Sequence, residues 1–288
     1  MKKKTWLITI AAALLAFATF WLWPRPLTAT HYSVGADVTD TVRIVQLTDL
    51  HSRQFGKENA DLIALVAEQE PDLIFVTGDM LNRRETDFTE LCTLISALTD
   101  IAPVYYSYGN HEVDQMRDNG AALGEALRST GAEVLDFEYR DVEVNGQALR
   151  IGGYSGFYRT PHLDTHDAAE QLARFALAND FEDTERQKLL LCHGPTSWLD
   201  WGRIDDHPAG VVFSGHYHGG LIRIPLLNRG MYAPYVRWFP EYTRGVFEGE
   251  RAVCVLSAGL GSGKIIPRVY NPPEILTVDL VPENEFDK

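Results

Sequence analysis

The sequence predicts an α/β fold: a central two-sheet β-sandwich flanked by helices, with one N-terminal transmembrane helix ahead of it. Three observations predict it. From Val42 onward, short apolar runs alternate with helically patterned segments, the rhythm of strand–helix–strand crossovers. After residue 132 the strands come closer together, and two of them are joined by Asn145-Gly146, a strong hairpin signal. Near the start, three lysines precede a long uncharged stretch.

That stretch runs from Trp6 to Trp23, with Thr9 and Thr19 as its polar interruptions. About 18 residues at helical rise span most of a ~30 Å hydrocarbon core. Trp21 and Trp23 suit an interfacial anchor, and Pro24 and Pro26 end the helix. Lys2, Lys3 and Lys4 stay in the cytoplasm by the positive-inside rule. A single pass through the cell membrane then puts the rest on the extracytoplasmic side. A cleaved signal peptide competes with this reading; Ala29 offers a cleavage residue, but Leu27 two positions earlier is too bulky. Residues 1–24 are thus expected as a signal-anchor, 25–41 as a linker, 42–282 as one globular domain and 283–288 as a tail.

Within the domain, Val42–Leu47 reads as a continuous apolar strand, and roughly Glu58–Gln69 as a helix with Leu62, Ile63, Leu65 and Val66 on its apolar side. Strand Leu73–Val76, helix Thr86–Leu98, strand Val104–Tyr108 and helix Ala121–Ser129 continue the pattern. Short strands follow at Val134–Phe137, Val142–Val144 and Leu149–Gly152. A helix near Ala168–Ala178 precedes strands Leu189–Leu191, Val211–Phe213, Ala252–Leu256 and Ile275–Leu280. In largely parallel sheets, functional groups collect at the carboxyl ends of strands.

A chain of 288 residues, 45% hydrophobic and 23% charged, has ample capacity for a buried core. Its formal charge is −14, with 40 acidic residues against 26 basic, which argues against nucleic acid as a partner. Cys92, Cys192 and Cys254 form no paired spacing, so no disulfide framework is expected. Cys192 precedes a histidine and could offer a thiolate, although a small buried residue ending a strand explains it better.

The chemistry lies in five blocks, in order: Asp49-Leu-His51, Gly78-Asp79, Gly109-Asn110-His111-Glu112, Cys192-His193-Gly194 and Gly215-His216-Tyr217-His218. Each falls where an apolar strand runs out. Asp49 and His51, two apart on an extended segment, point to one side, as do His216 and His218. Asp79 can bridge two ions through its two oxygens, and Asn110 offers a neutral carbonyl oxygen. Seven donors are too many for one tetrahedral ion and suit two divalent ions sharing a carboxylate. Mn, Fe and Zn all accept this donor mix.

In the order D-x-H, GD, GNH, H and GHxH, the sequence resembles the calcineurin-like metallophosphoesterase superfamily. The resemblance implies that 42–282 is a catalytic domain of the metallophosphoesterase fold. It places Asp49, His51, Asp79 and His218 around one metal and Asp79, Asn110, His193 and His216 around the other, with His111 as the catalytic histidine. The implied reaction is hydrolysis of a phosphate ester or pyrophosphate by a metal-bridging hydroxide, with His111 serving the leaving oxygen or the phosphoryl charge. Glu112 is expected either to orient His111 or to be an exposed strand-end acid.

Gly219-Gly220-Leu-Ile-Arg-Ile-Pro225, Arg268 and Pro273-Glu274-Ile275 are similar to the membrane-anchored bacterial subgroup. Some members of that subgroup and their relatives hydrolyse UDP-2,3-diacylglucosamine, which suggests a lipid-linked substrate; soluble nucleotides are the alternative, and a catalytically silent metal-binding module is a further one. The soluble hydrolase that acts on this lipid carries arginine where His111 stands, a departure that weakens the transfer of substrate.

Two other features invite readings. Ala258 to Lys264 looks like a phosphate loop, but its glycine spacing is one short and Ile265 replaces the required Ser or Thr. A turn is expected there, with backbone amides that could still line the site. Arg229 to Arg244 interleaves arginines with Tyr232, Tyr235, Trp238, Phe239 and Tyr242; this suits a membrane interface or a lipid headgroup, and equally a packed surface loop. His162, His166 and His207 read as ordinary surface residues, and His31 as part of the linker.

Overall fold

A strand that is apolar at every position needs cover on both faces, and this requirement organises the fold. The computed structural model describes residues 25–157, 180–200, 204–206, 210–224, 227, 229–234, 236–262 and 266–286, besides Trp6, Thr9 and Ile10. Its strands are β1 (Thr28–Ala36), β2 (Val42–Leu47), β3 (Leu73–Val76), β4 (Val104–Tyr106), β5 (Glu133–Val134), β6 (Glu138–Val144), β7 (Gln147–Phe157) and β8 (Gln187–Gly194). They continue with β9 (Gly210–Ser214), β10 (Arg223–Ile224), β11 (Arg229–Gly230), β12 (Tyr232–Ala233), β13 (Arg237–Trp238), β14 (Gly245–Glu248), β15 (Ala252–Leu256) and β16 (Glu274–Pro282). The α-helices are α1 (Ala60–Ala67), α2 (Thr89–Thr99), α3 (Asn110–Asn119), α4 (Ala122–Ser129), α5 (Thr196–Leu199) and α6 (Glu283–Phe286).

Two six-stranded sheets form the centre, in the orders β1-β16-β2-β3-β4-β5 and β14-β15-β9-β8-β7-β6. β2 to β5 run parallel in the first sheet, and β15, β9, β8 and β7 in the second. Alternate residues of each strand feed different layers. Val42 and Ile44 of β2, Leu73 and Phe75 of β3, and Leu189 and Leu191 of β8 meet between the sheets. Val45, Leu47, Ile74 and Val76 face the other way, against α1, α2 and α4. Those helices present Leu62 and Val66, then Leu91, Leu94, Ile95 and Leu98, then Leu123 and Leu127, spacings that align on one helical face. Leu190 and Cys192 of β8 turn to an outer layer with Trp198 and Phe181. The architecture is therefore the mixed α/β, two-sheet fold that the sequence predicts.

The Asn145-Gly146 turn joins β6 to β7 with φ of +51° and +77°, the left-handed pair that a two-residue hairpin requires. Several boundaries differ from expectation. The segment 25–41 is not a linker throughout: Thr28–Ala36 forms β1, paired in parallel with β16, so His31 sits on a strand. β1 escapes a periodicity reading because its residues are mostly half-buried and polar. The tail starts as α6, whose Phe286 ring packs on Gly35. Helix α3 lies where a strand end was expected. The helix near Ala168–Ala178 falls outside the described residues. So does the N-terminal anchor, apart from Trp6, Thr9 and Ile10. Among the described residues no helix is long and apolar enough to cross a membrane.

Because β1 covers the edge of β16 and buries Val34 and Ala36, its removal carries a penalty. A chain starting at residue 37 is expected to lose about 3 kcal/mol relative to one starting at residue 25. That is a fall in Tm of roughly 6–12 °C, measurable by thermal unfolding; equal Tm values would contradict the strand.

Candidate metal centre

The carboxyl ends of β2, β3, β4, β8 and β9 bring the expected donors together, with His193 still on β8 and Asn110 opening α3. The loops after β2 and β3 are zipped by backbone hydrogen bonds: Asp49 N–H donates to Gly78 O at 2.9 Å and His51 N–H to Asp79 O at 3.0 Å. Asp49, His51, Asp79, His216 and His218 all have φ between +48° and +69°. Asp and His tolerate this left-handed region better than most residues, yet each instance costs about 1 kcal/mol or more. The expected extended segments at Asp49–His51 and His216–His218 are therefore not extended, and left-handed backbone rather than strand alternation sets the direction of these side chains.

The glycines in the blocks have a steric reason. A Cβ on Gly78, at φ +84°, would lie 2.0 Å from Gly109 N, and one on Gly109 would lie 2.3 Å from Asp79 Oδ1. Likewise a Cβ on Gly215 would lie 2.4 Å from Asp49 Oδ2. Glycine is required at 109 and 215 because their backbone passes directly over the carboxylates, and at 78 because its backbone lies against that of Gly109.

Three groups of donor atoms result, each with all members within 4.8 Å of one another: Asp49, His51 and His218; Asp79, His193 and His216; and His51, Asp79 and His111. His193 Nε2 lies 3.1 Å from Asp79 Oδ2 and 3.9 Å from Asp49 Oδ1. His218 Nε2 and His51 Nε2 stand 3.6 and 3.8 Å from Asp49 Oδ1. Asn110 opens α3 with its Oδ1 buried and free of hydrogen bonds, as are Asp49 Oδ1, both His51 ring nitrogens and His218 Nδ1. Buried polar atoms are otherwise nearly always paired, so this concentration of lone pairs fits a cation.

The electrostatics divide these donors by protonation. Burial alone would discharge His193, but Asp79 and Asp49 outweigh it and hold its pKa at about 9. Burial lifts Asp49 to about 7, with His193 opposing and Asp79 adding to the rise. Asp79 lies well below the usual carboxylate range, because His193 overcomes its burial as nearby charge and hydrogen-bond partner. Burial drops His51 to about 4 and takes His216 and His218 well below the ordinary histidine value. Neutral imidazoles and ionised carboxylates are the forms that ligate metals, so His51, His216, His218 and Asp79 are already in that form, whereas His193 and Asp49 must give up protons to a bound ion. His193 Nδ1 sits 2.8 Å from Thr77 O, which directs Nε2 into the site.

Glu112 neither orients His111 nor faces solvent. Its fully buried carboxylate accepts from Asp79 N–H and Met80 N–H at 2.8 Å, Gly109 N–H at 3.0 Å and the Tyr106 hydroxyl at 2.9 Å. It thus clamps the loop carrying Asp79 to the loop carrying Asn110. Helix α3 begins at Asn110, which makes Glu112 a first-turn acid able to reach back to the amide of Gly109. His111 is held instead through Nδ1, 3.2 Å from Leu81 O.

Other braces had no signal in spacing alone. Arg268 donates to Gly261 O at 2.7 Å and Ala258 O at 2.8 Å, and burial lowers its pKa to about 10. Asn271 Nδ2 donates to His218 O at 2.7 Å. Among the described residues of the turn after Ala258, Leu260 N–H donates to Thr48 O and Gly261 N–H to Asp49 O, so these two amides brace the Asp49 loop. Cys192 packs in the outer apolar layer, on the face of β8 opposite His193. His162, His166 and His207 fall outside the described residues.

A two-sheet α/β fold with aspartates and histidines clustered at its strand ends defines a protein built to hold metal ions. Residues 42–220 match the family model described as calcineurin-like phosphoesterase, and the chain belongs to that family. It is similar to the Escherichia coli phosphodiesterase YaeI, 27% identical over 83% of this chain and 82% of that one. The Bacillus subtilis metallophosphoesterase YkuE is 26% identical, over 92% and 89%. The UDP-2,3-diacylglucosamine pyrophosphatase LpxG of Chlamydia muridarum is 24% identical, over 81% and 82%. With such relatives the chain is a metal-dependent phosphoester hydrolase.

Glu112→Ala would strand three buried amides and a hydroxyl, at an expected 3–5 kcal/mol in urea unfolding. Tyr106→Phe removes one partner and should cost about 1 kcal/mol. Equal losses in the two variants would contradict the clamp.

Proposed function

We propose that this chain is a membrane-anchored phosphohydrolase of the phosphodiesterase or pyrophosphatase type that works with two divalent ions. In this reading Asp49, His51, Asp79 and His218 hold one ion, and Asp79, Asn110, His193 and His216 the other. The observation that carries it is that Asp49, His51 and His218 gather at one point and Asp79, His193 and His216 at another within one buried site, with His51 and Asp79 also within 4.8 Å of each other. Ions bound there supply Lewis acidity toward water and the phosphoryl oxygens.

The chain's own residues do the rest. Thr77 O fixes the tautomer of His193, and the glycine loops keep both carboxylates beneath the site. His111 is the catalytic residue. With Nδ1 engaged by Leu81 O, its Nε2 faces the site 3.9 Å from Asp79 Oδ2, and its side chain keeps 19% exposure. It can therefore meet substrate from the solvent side and protonate the leaving oxygen, or stabilise charge on the phosphoryl group.

The apolar stretch Trp6 to Trp23 supports a single-pass anchor, and the lysines before it an extracytoplasmic domain. An anchored enzyme meets substrates held in the same membrane. The pyrophosphatase relatives, 24% and 25% identical, support a lipid-linked nucleotide pyrophosphate as the substrate class. The net charge of −14 disfavours nucleic acid.

With Mn²⁺ and bis-p-nitrophenyl phosphate, the wild type is expected to turn over and Asp79→Ala to fall to background. His111→Ala should lose about 10²–10⁴-fold in kcat with its metal content intact. Equal hydrolysis by wild type and Asp79→Ala would sink the enzyme reading. Metal uptake near neutral pH should also displace the His193 proton. At about pH 8, where Asp49 is already largely ionised, calorimetry in buffers of different ionisation enthalpy should then show about one proton released, and metal affinity should rise with pH until about 9. Uptake without proton release would remove His193 from the ligand set.

A further inference from the structure

We propose that the small extension formed by β10 to β13 docks on a lipid bilayer and turns the metal site toward the membrane surface. The extension grows out of the site itself. Gly230 packs backbone to backbone on Gly220, two residues beyond His218, and Met231 N–H donates to Gly220 O at 3.2 Å and Ile222 O at 2.7 Å. From this root it displays Leu227, Trp238 and Phe239, which are 63%, 61% and 58% exposed.

The display is built into the backbone. Arg237 and Phe239 both take positive φ, +76° and +55°, a region that large side chains rarely adopt. Trp238 stands between them, with Tyr232 against its ring at 5.5 Å. Arg229 and Arg237 are also exposed, giving a basic rim on a chain that is otherwise strongly acidic. Exposed apolar clusters mark interaction sites. Tryptophan beside arginine suits the zone between anionic headgroups and acyl chains.

The place of the N-terminus selects a bilayer over a protein partner. β1 runs parallel to β16, with Thr28 opposite Glu274, and β16 runs antiparallel to β2. The first residues of the domain therefore lie at the carboxyl end of β2, the end that carries Asp49 and His51. Arg25 stacks on Tyr270 there, 4.6 Å from its ring centre. The apolar stretch that precedes Arg25 thus joins the domain at the same end as the site and the extension. This inference rests on the anchor reading and adds a second membrane contact to it.

The test uses the full chain in vesicles of phosphatidylcholine and phosphatidylglycerol, roughly three to one. An environment-sensitive fluorophore is placed through Trp238→Cys, through Phe239→Cys, or through Glu143→Cys at the opposite end of the second sheet. All three carry Cys92→Ser, since Cys192 and Cys254 are fully buried. Brominated phosphatidylcholine should quench the labels at 238 and 239 by roughly half and leave that at 143 unchanged. If the chain floats with vesicles but the labels at 238 and 239 behave like that at 143, the docking is wrong and the anchor stands. That outcome would leave the patch to a protein partner. A chain that does not float with vesicles overturns both.

Discussion

Two aspartates buried in one site are the constraint on which the rest of this structure depends. Asp49 and Asp79 are withdrawn from water, close enough that each raises the energy of the other's charge. Desolvation on that scale is tolerated only with opposite charge and hydrogen-bond donors close by. The chain provides part of the answer itself. His193 lies between the carboxylates, which raise its pKa to about 9, the amide of His216 donates to Asp49 Oδ2 at 2.8 Å, and that of His111 to Asp79 Oδ1 at 2.7 Å. The unsatisfied oxygens and ring nitrogens around them form the remainder, and divalent cations are what such a donor set accommodates.

The braces follow from the same constraint. Glycine at 109 and 215 lets backbone cross the carboxylates, Gly78 lets two loops touch backbone to backbone, and left-handed backbone at five of the donors aims them inward. Glu112, a third buried acid, faces away from the centre and is satisfied by amides, so it fixes geometry without adding a donor. Arg268 and Asn271 hold the outer loops by their carbonyls. Much of the polar chemistry around the site is therefore spent on holding seven side chains still, which is what preorganised catalysis requires.

The core strands were legible in the sequence because both faces of each sheet are covered, which leaves unbroken apolar runs such as Val42–Leu47 and Leu73–Val76. The hairpin at Asn145-Gly146 was legible because left-handed backbone restricts residue choice. β1 was not, since an edge strand that is mostly half-buried carries no clear period, and its place beside β16 depends on pairing across almost the whole chain. Helix α3 was hidden by its polarity; its buried residues are Asn110, Glu112 and Gln115, which serve the site rather than a core. The site residues stood out through their order and flanking glycines. The role of Glu112 did not, because a carboxylate that binds amides looks the same in sequence as one that orients a histidine.

In the proposed reading, Asp79 joins two metal positions into one centre. Counting bound metal by mass spectrometry on the full chain, loaded with Mn²⁺ and passed through a desalting column, tests it most directly. Two ions per chain are predicted for the wild type, and Asp79→Asn should lose both together while Asn110→Ala keeps at least one. A single ion in the wild type, or two ions retained by Asp79→Asn, would contradict the shared carboxylate.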